Sequence, residues 1–455
     1  MYVSVRDIPH GTRSTARVPR VVVVLGLVSL ITDVSTEMVT AVLPLFATLA
    51  LGLTPLAYGL LDGLYQGATV LVRLLGGFFA DRLRRPKLVA GAGYALGAVA
   101  KLMLLPVAGA GALSAAVAVD RAGKGLRTAP RDLLIATASP RDRLGRSFGV
   151  HRALDATGAL LGPVVAFGLL ALAPGDFDMI FVVSFCAAVL GVLLFIHRVP
   201  EHHTPGHRGP ERHTPEHHVG EHGVPEHSVP EHDASARRPA VAGTAGAPVS
   251  HSGARPVSLR DVAALLRIGG FRRLLCAATV LSAATIGDGF LYLVLLRNES
   301  VTTRWFPLLF VCTSLIYLTL ALPLGRLSDR YGRNGVFSAG YGLLLCAYLT
   351  AVLTGGVAGA VLCLVFLGAY YAATDGVLPA AAAPLLPAEL TATGISVVQA
   401  AVAGGRALGA VVFGAVWTAA EGDAAVWTFA AALTAALLTA VPMITRARNR
   451  RTEAR

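Results

Sequence analysis

Two acids stand four residues apart in an otherwise apolar stretch: Asp33 and Glu37, in Thr32-Asp33-Val34-Ser35-Thr36-Glu37-Met38. On a helix that spacing puts both carboxylates on one face. A second stretch carries Asp120, Arg121, Lys124, Arg127 and Arg131, of which Asp120, Lys124, Arg127 and Arg131 follow a 4-3-4 spacing and also share a face. Asp288 and Asp375 interrupt two further apolar stretches. Such groups can exchange protons or cations. A carboxylate in a drying cavity holds its proton more tightly, and a neighbouring arginine loosens it. A site that opens and closes can therefore load and release a proton. The same residues could instead form static salt bridges that support folding, or, for Arg127 and Arg131, reach out to the aqueous boundary. Asp62, Arg73, Lys101, Asp155 and Arg406 read as interhelical pairs. Nothing resembles an enzyme's equipment. Gly123-Lys124-Gly125 lacks the spacing of a phosphate loop, and the five cysteines form no CxxC pair. No enzyme activity, no cofactor and no metal site are expected.

These charges are costly where they stand, and that defines the elements that must hold them. Of the 455 residues, 54% are hydrophobic and only 15% charged, against about 25% charged in soluble domains. A soluble chain could not bury so much apolar surface. A membrane helix needs roughly 20 apolar residues. Twelve runs qualify, at about 20–50, 55–80, 88–108, 112–136, 148–173, 179–197, 273–296, 304–327, 335–355, 357–380, 393–420 and 424–445. At 1.5 Å per residue, Asp33 lies about 20 Å along the first run from Arg20, near mid-bilayer. A central charge there costs about 2.5–3.5 kcal/mol on insertion scales, so it must face water or a counter-charge.

The basic clusters Arg82–Lys87, Arg141–Arg146, Arg326–Arg333 and Arg446–Arg455 fall on one side of the twelve runs, and the other side holds Arg297 and Arg304. This bias places both termini in the cytosol. Between the sixth and seventh runs, Pro200 to Ala234 repeats a five-residue unit rich in proline and histidine (PEHHT, PERHT, PEHHV, PEHSV). Proline at that period forbids a helix and the polarity forbids a core. The expected organisation is a cytosolic N-tail (1–19), a six-helix bundle (20–197), a disordered linker (198–260), a second six-helix bundle (261–445) and a basic cytosolic C-tail (446–455). His-rich tracts can hold metal loosely, and repeat expansion of a tolerated linker explains this one as well. The net charge of +12 fits a membrane surface. No basic stretch interleaves with aromatics, so nucleic acid is not an expected partner.

The two halves echo each other. The second run ends in Gly77-Phe78-Phe79-Ala80-Asp81-Arg82-Leu83-Arg84-Arg85 and the eighth in Gly325-Arg326-Leu327-Ser328-Asp329-Arg330-Tyr331-Gly332-Arg333. Two copies of G-x3-D-R-x-G-R, the first with Arg84 in place of its glycine, resemble the G-x3-D-R-x-G-R-R motif of the major facilitator superfamily. The resemblance covers nearly everything except linker and tails. It implies an all-α membrane protein of twelve transmembrane helices in two six-helix bundles related by pseudo-two-fold symmetry. It implies that Gly77, Asp81, Arg82, Arg85, Gly325, Asp329, Arg330 and Arg333 gate the cytosolic side, the aspartate partly by facing the N-terminus of a helix in the other half.

The resemblance further implies that helices 1, 4, 7 and 10 line a central cavity, and each carries an acid here. Arg121 and Gly125 fit the family's helix 4 motif, whose arginine serves proton coupling or substrate binding. Gly158-x3-Gly162-Pro163 is similar to the helix 5 motif of family antiporters, with Ala166-Phe167 in place of its trailing glycine pair. Ordinary close packing explains those glycines equally. The expected function is a monomeric, multi-pass secondary transporter of the cytoplasmic membrane. It would move a small solute by alternating access, coupled to protons, with efflux favoured. Asp33, Glu37, Asp120, Arg121, Lys124, Asp288 and Asp375 are its coupling and cavity residues, with Arg121 as partner of the helix 1 acids. An uptake symporter or uniporter is the alternative, and a metal-responsive sensor using the linker a second one. The signatures look most like a bacterial branch of mostly unassigned substrate, in which metal transport stays open.

Overall fold

A membrane offers backbone amides no water, so each spanning segment must satisfy them internally, and a run of Ala, Leu, Val and Gly does so as a helix. The computed structural model describes residues 18–68, 85–140, 143–200, 264–387 and 390–452. Within them every regular element is helical and none is a strand. Of the expected tail (1–19) residues 1–17, and of the expected linker (198–260) residues 201–260, lie outside the described residues.

The first half contains α1 (Arg20–Leu45), which widens into a π-helical turn at Phe46–Ala50, then α2 over residues 55–68, α3 (Pro86–Met103), α4 (Ala110–Ala138), α5 (Leu144–Leu172) and α6 (Phe177–Arg198). The second half contains α7 (Gly269–Ala283), α8 (Asp288–Arg297), α9 (Phe306–Tyr331), α10 (Arg333–Leu353), α11 (Gly356–Thr374), α12 (Val377–Ala382), α13 (Thr391–Ala419) and α14 (Gly422–Thr452). Helix α14 thus carries on into the expected C-tail. Among the described residues, nine spans are long and apolar enough to cross a membrane. Helices α3 and α4 fall short because Lys87, Lys101 and the charged stripe lower their hydropathy. The layout is two six-segment bundles, as expected.

Two runs read as single helices are interrupted. The seventh run breaks between α7 and α8 at Ala284–Gly287, and the tenth breaks between α11 and α12 at Asp375-Gly376. A break frees backbone groups that lipid cannot satisfy. Tyr348 resolves this at the first break: its hydroxyl accepts from the Ile286 amide (2.7 Å) and donates to the Ala284 carbonyl (3.3 Å). Each break carries an acid. Asp288 is the first residue of α8, and Asp375 caps α11.

Within the first half, α1 packs on α5 and α6, and α3 packs on α4. The α5 glycines make the first contact possible. A Cβ on Gly162 would lie 2.8 Å from the Met38 amide and the Val34 carbonyl, and Gly158 is pressed equally close to Leu30. Ser35 and Ser184 then tie α1 to α6, each hydroxyl donating to the other's carbonyl at 2.8 Å. Replacing Gly162 by Val should force the two backbones apart at a cost of about 3 kcal/mol. The variant should lose its monodisperse peak in size-exclusion chromatography. Gly168→Val, with no atom near the added Cβ, should not.

The halves meet on the face that carries the α1–α2 loop. The Leu56 amide donates to Thr418 Oγ1 (2.9 Å). A Cβ on Gly414 would strike the Pro55 carbonyl, and Gly63 lies against Ala407. The rings of Tyr58 and Phe290 stack edge-on at 4.7 Å, and Phe167 meets Trp305 at 5.1 Å. Glycines let α2 and α13 approach to backbone contact here, which makes a seal rather than a loose apposition.

Candidate functional site

Behind the seal lies a cavity of about 220 Å³ between the halves. Its lining includes Glu37, Asp62, Tyr65, Gln66, Asp288 and Arg406. A second space of about 290 Å³ shares Gln66 and Arg406 and adds Asp375, Tyr341 and Gln399. The α1 acid, the α8 acid and the acid at the α11 break therefore all reach these spaces.

A separate charge ribbon runs between α1 and α4. Asp33, 4% exposed, is held by Arg127 Nη2 at 3.0 Å, with Lys124 Nζ at 4.0 Å. Lys124 also reaches Glu37 Oε1 at 3.3 Å, so one ammonium bridges both helix 1 acids. Asp120 is paired with Lys101 of α3 and with its own neighbour Arg121. Lys101, itself buried, donates in turn to Thr36 Oγ1 of α1. Arg131 meets Asp132 at 3.0 Å and Asp155 of α5 at 3.6 Å. The 4-3-4 stripe thus meets a counter-charge at every step, which is how a charged helix face sits in a bilayer.

Arg121, expected as partner of the helix 1 acids, forms its ion pair with Asp120 and acts on Glu37 only from beyond ion-pair distance. It sits 100° around the helix from Asp120, and its guanidinium lies over the Tyr65 ring of α2 at 4.1 Å. The partners of the helix 1 acids are Lys124 and Arg127, which lie on the stripe itself.

Of Asp62 and Arg406, both expected in interhelical pairs, Arg406 has one and Asp62 has none among the described residues. Arg406 does form an interhelical pair, with Asp375 at 3.6 Å, and it donates to Tyr370 Oη at 3.2 Å. It also lines both spaces. Asp62 has no basic side chain within ion-pair distance among the described residues. It lies against Gly287, where a Cβ would overlap its carboxylate, with Gln66 one turn on as its hydrogen-bonding neighbour. Asp288 accepts from Tyr371 Oη at 2.6 Å. The signal that could have found Asp62 was its i, i+4 spacing to Gln66 on an apolar helix.

Of the gating motif, Gly77, Asp81 and Arg82 lie outside the described residues, and Arg85 stands exposed just before α3. In the second copy Asp329 is exposed and pairs with Arg333 at 3.5 Å in its own half, rather than with a helix of the other half. Gly332, at φ 101°, turns the chain between α9 and α10, a conformation that favours glycine. Arg333 donates to the Ala380 carbonyl of α12. Gly325 has open space around it. Gly158, Gly162 and Pro163 lie on α5, and the two glycines form its contact with α1.

Two helical bundles that enclose a charged cavity and are sealed on one face define a multi-pass membrane protein of the carrier type. A model described as the Major Facilitator Superfamily matches residues 25–302, and the chain belongs to this family. An uncharacterized MFS-type transporter of Methanocaldococcus jannaschii is 32% identical over 195 residues, which is 43% of this chain and 48% of that protein. An uncharacterized protein of Mycobacterium bovis is 38% identical over 164 residues, 36% of this chain and 39% of its own. The matched region thus spans about half or less of these relatives. Among solved structures, the nucleoside transporter NupG superposes with a TM-score of 0.72 at 13% identity, covering 93% of this chain and 98% of its own. A POT family transporter in complex with 5-aminolevulinic acid reaches a TM-score of 0.70 at 14% identity, covering 94% and 96%. These likenesses show the fold.

Proposed function

We propose that this protein is a secondary active transporter of the cytoplasmic membrane, which moves a small solute by alternating access in exchange for protons. The observation that carries this reading is the cavity itself. It lies between two bundles, it is lined by charges from both, and it is sealed on one face. With both termini in the cytosol, as the arginine bias implies, the sealed face is the outer one and this conformation is the inward-facing one. Glu37 connects the two charge systems, since it lines the cavity and is held by Lys124. A proton arriving on Glu37 removes one arm of the Lys124 bridge. Lys124 then leans on Asp33 alone, and the α1–α4 ribbon rebalances. Such a change alters the relative stability of two conformations, which is what coupling requires. The efflux direction is supported by the likeness of Gly158-x3-Gly162-Pro163 to antiporter helices.

The test is counterflow in proteoliposomes loaded with a mixed panel of nucleosides, dipeptides and organic amines. At least one solute should exchange across the membrane, and adding it should dissipate an imposed pH gradient. Binding without exchange would instead indicate a sensor. Exchange without proton movement would indicate a uniporter.

A further inference from the structure

We infer that the solute is a small organic cation, whose charge is held between Asp62 and Asp288. This rests on the transporter reading and names its substrate class. The 220 Å³ cavity is lined by three carboxylates, Glu37, Asp62 and Asp288, against one guanidinium, Arg406. Glu37 is committed to Lys124 and Arg406 to Asp375. Asp62 and Asp288 have no ion-pair partner among the described residues: their hydrogen-bonding neighbours are Gln66 and Tyr371, and Arg406 acts on both only from beyond ion-pair distance. The N-terminus of α8, where Asp288 stands, offsets about half a charge. Two carboxylates that face one space without an ion-pair partner repel each other, and one bound cation relieves that repulsion.

The walls say what kind of cation. Tyr58 and Phe310 line the same cavity, together with Tyr65 and Tyr371, each of which already carries a guanidinium on one face, Arg121 at 4.1 Å and Arg406 at 5.4 Å. Aromatic faces attract organic cations but cannot replace the six to eight oxygens that a calcium ion takes, for example. The described residues hold no group of three or more metal-ligating side chains. The cavity has room for about seven waters at roughly 30 Å³ each, far more than a bare ion fills.

The two acids also come from opposite halves, Asp62 from α2 and Asp288 from α8, at the inner edge of the seal. Empty, they repel across the seam. Bridged by a cation, they draw the halves together, so the solute itself stabilises closure of the seal. A neutral solute would gain nothing from this pair.

The experiment uses the full-length protein, purified for thermal-shift binding and reconstituted for counterflow. The probes are tetraethylammonium, choline, phenethylammonium and agmatine, with uridine, benzoate and sodium chloride as neutral, anionic and inorganic comparisons. At least one organic cation should stabilise the wild type and exchange in counterflow. Asp62→Asn and Asp288→Asn should each weaken its apparent affinity at least tenfold, by loss of a charge-assisted contact, while Asp62→Glu, which keeps the charge, retains binding. Size-exclusion profiles matching wild type establish that the variants fold; if an Asn variant does not, the other and Asp62→Glu decide. Exchange of uridine or benzoate with no response to any organic cation overturns the cation assignment but leaves the transporter reading standing. Cation binding lost in the Asn variants, with no exchange of any solute, keeps the site and removes the transporter. Stabilisation by sodium or by protons alone, or cation binding unaffected by both Asn variants, overturns the inference.

Discussion

Glu37→Gln should lose pH-gradient-driven transport by at least tenfold while keeping counterflow. The side chain keeps its size and its place at the cavity wall, but Lys124 loses one of its two anionic partners. The protein then has no proton to release on that arm when the cavity reopens. Asp33→Asn should behave differently. Asp33 holds buried Arg127 at 3.0 Å, and removing one member of a buried pair costs about 3–5 kcal/mol because the remaining charge is stranded. That variant should express poorly and melt early. Adding Arg127→Leu should restore much of the stability without restoring coupling. Paired proteoliposome assays, one with an imposed pH gradient and one with solute exchange alone, separate the two effects. A Glu37→Gln protein that follows the pH gradient like wild type would move the coupling site to Asp120, Asp288 or Asp375.

Locking the seal should stop transport altogether. The Leu56 amide lies 2.9 Å from Thr418 Oγ1, which puts the two Cα atoms within reach of a disulfide, whose span is about 4.4–6.8 Å. Leu56→Cys with Thr418→Cys, in a background whose native cysteines are replaced, should crosslink under mild oxidation. The crosslinked carrier should neither accumulate solute nor exchange it, because the cavity can then open to one side only. Reduction should restore both activities. A crosslinked protein that still exchanges solute would mean that this contact is not a gate.

Much of this architecture was legible in the residues, for reasons that do not depend on which helix meets which. The bilayer sets the length of a span and forbids unsatisfied backbone, so the unbroken runs, where described, mapped onto helices within a few residues: the expected 148–173 became Leu144–Leu172, and 179–197 became Phe177–Arg198. The spacing of Asp33 and Glu37, and the stripe from Asp120 to Arg131, follow from 3.6 residues per turn. They needed no tertiary information to be placed on common faces. That such a stripe must find counter-charges also follows from its cost in lipid.

Which counter-charges it found was decided only by the tertiary structure. Pairing between helices depends on the rotation of each about its axis, and a turn of 100° is enough to hand Glu37 to Lys124 and send Arg121 to Tyr65. The helix breaks were equally hidden. Ala284–Gly287 reads as apolar helix, and it unwinds because Tyr348, 62 residues from Ile286 in sequence, offers the hydrogen bonds that the break requires. Asp62 and Arg406 joined the cavity because glycines on α2 and α13 let the two halves close to backbone contact. The sequence by itself determined that charges had to lie inside a helical membrane protein. The packing of one half against the other chose which of them face a common space, because that choice is made by contacts between residues hundreds of positions apart.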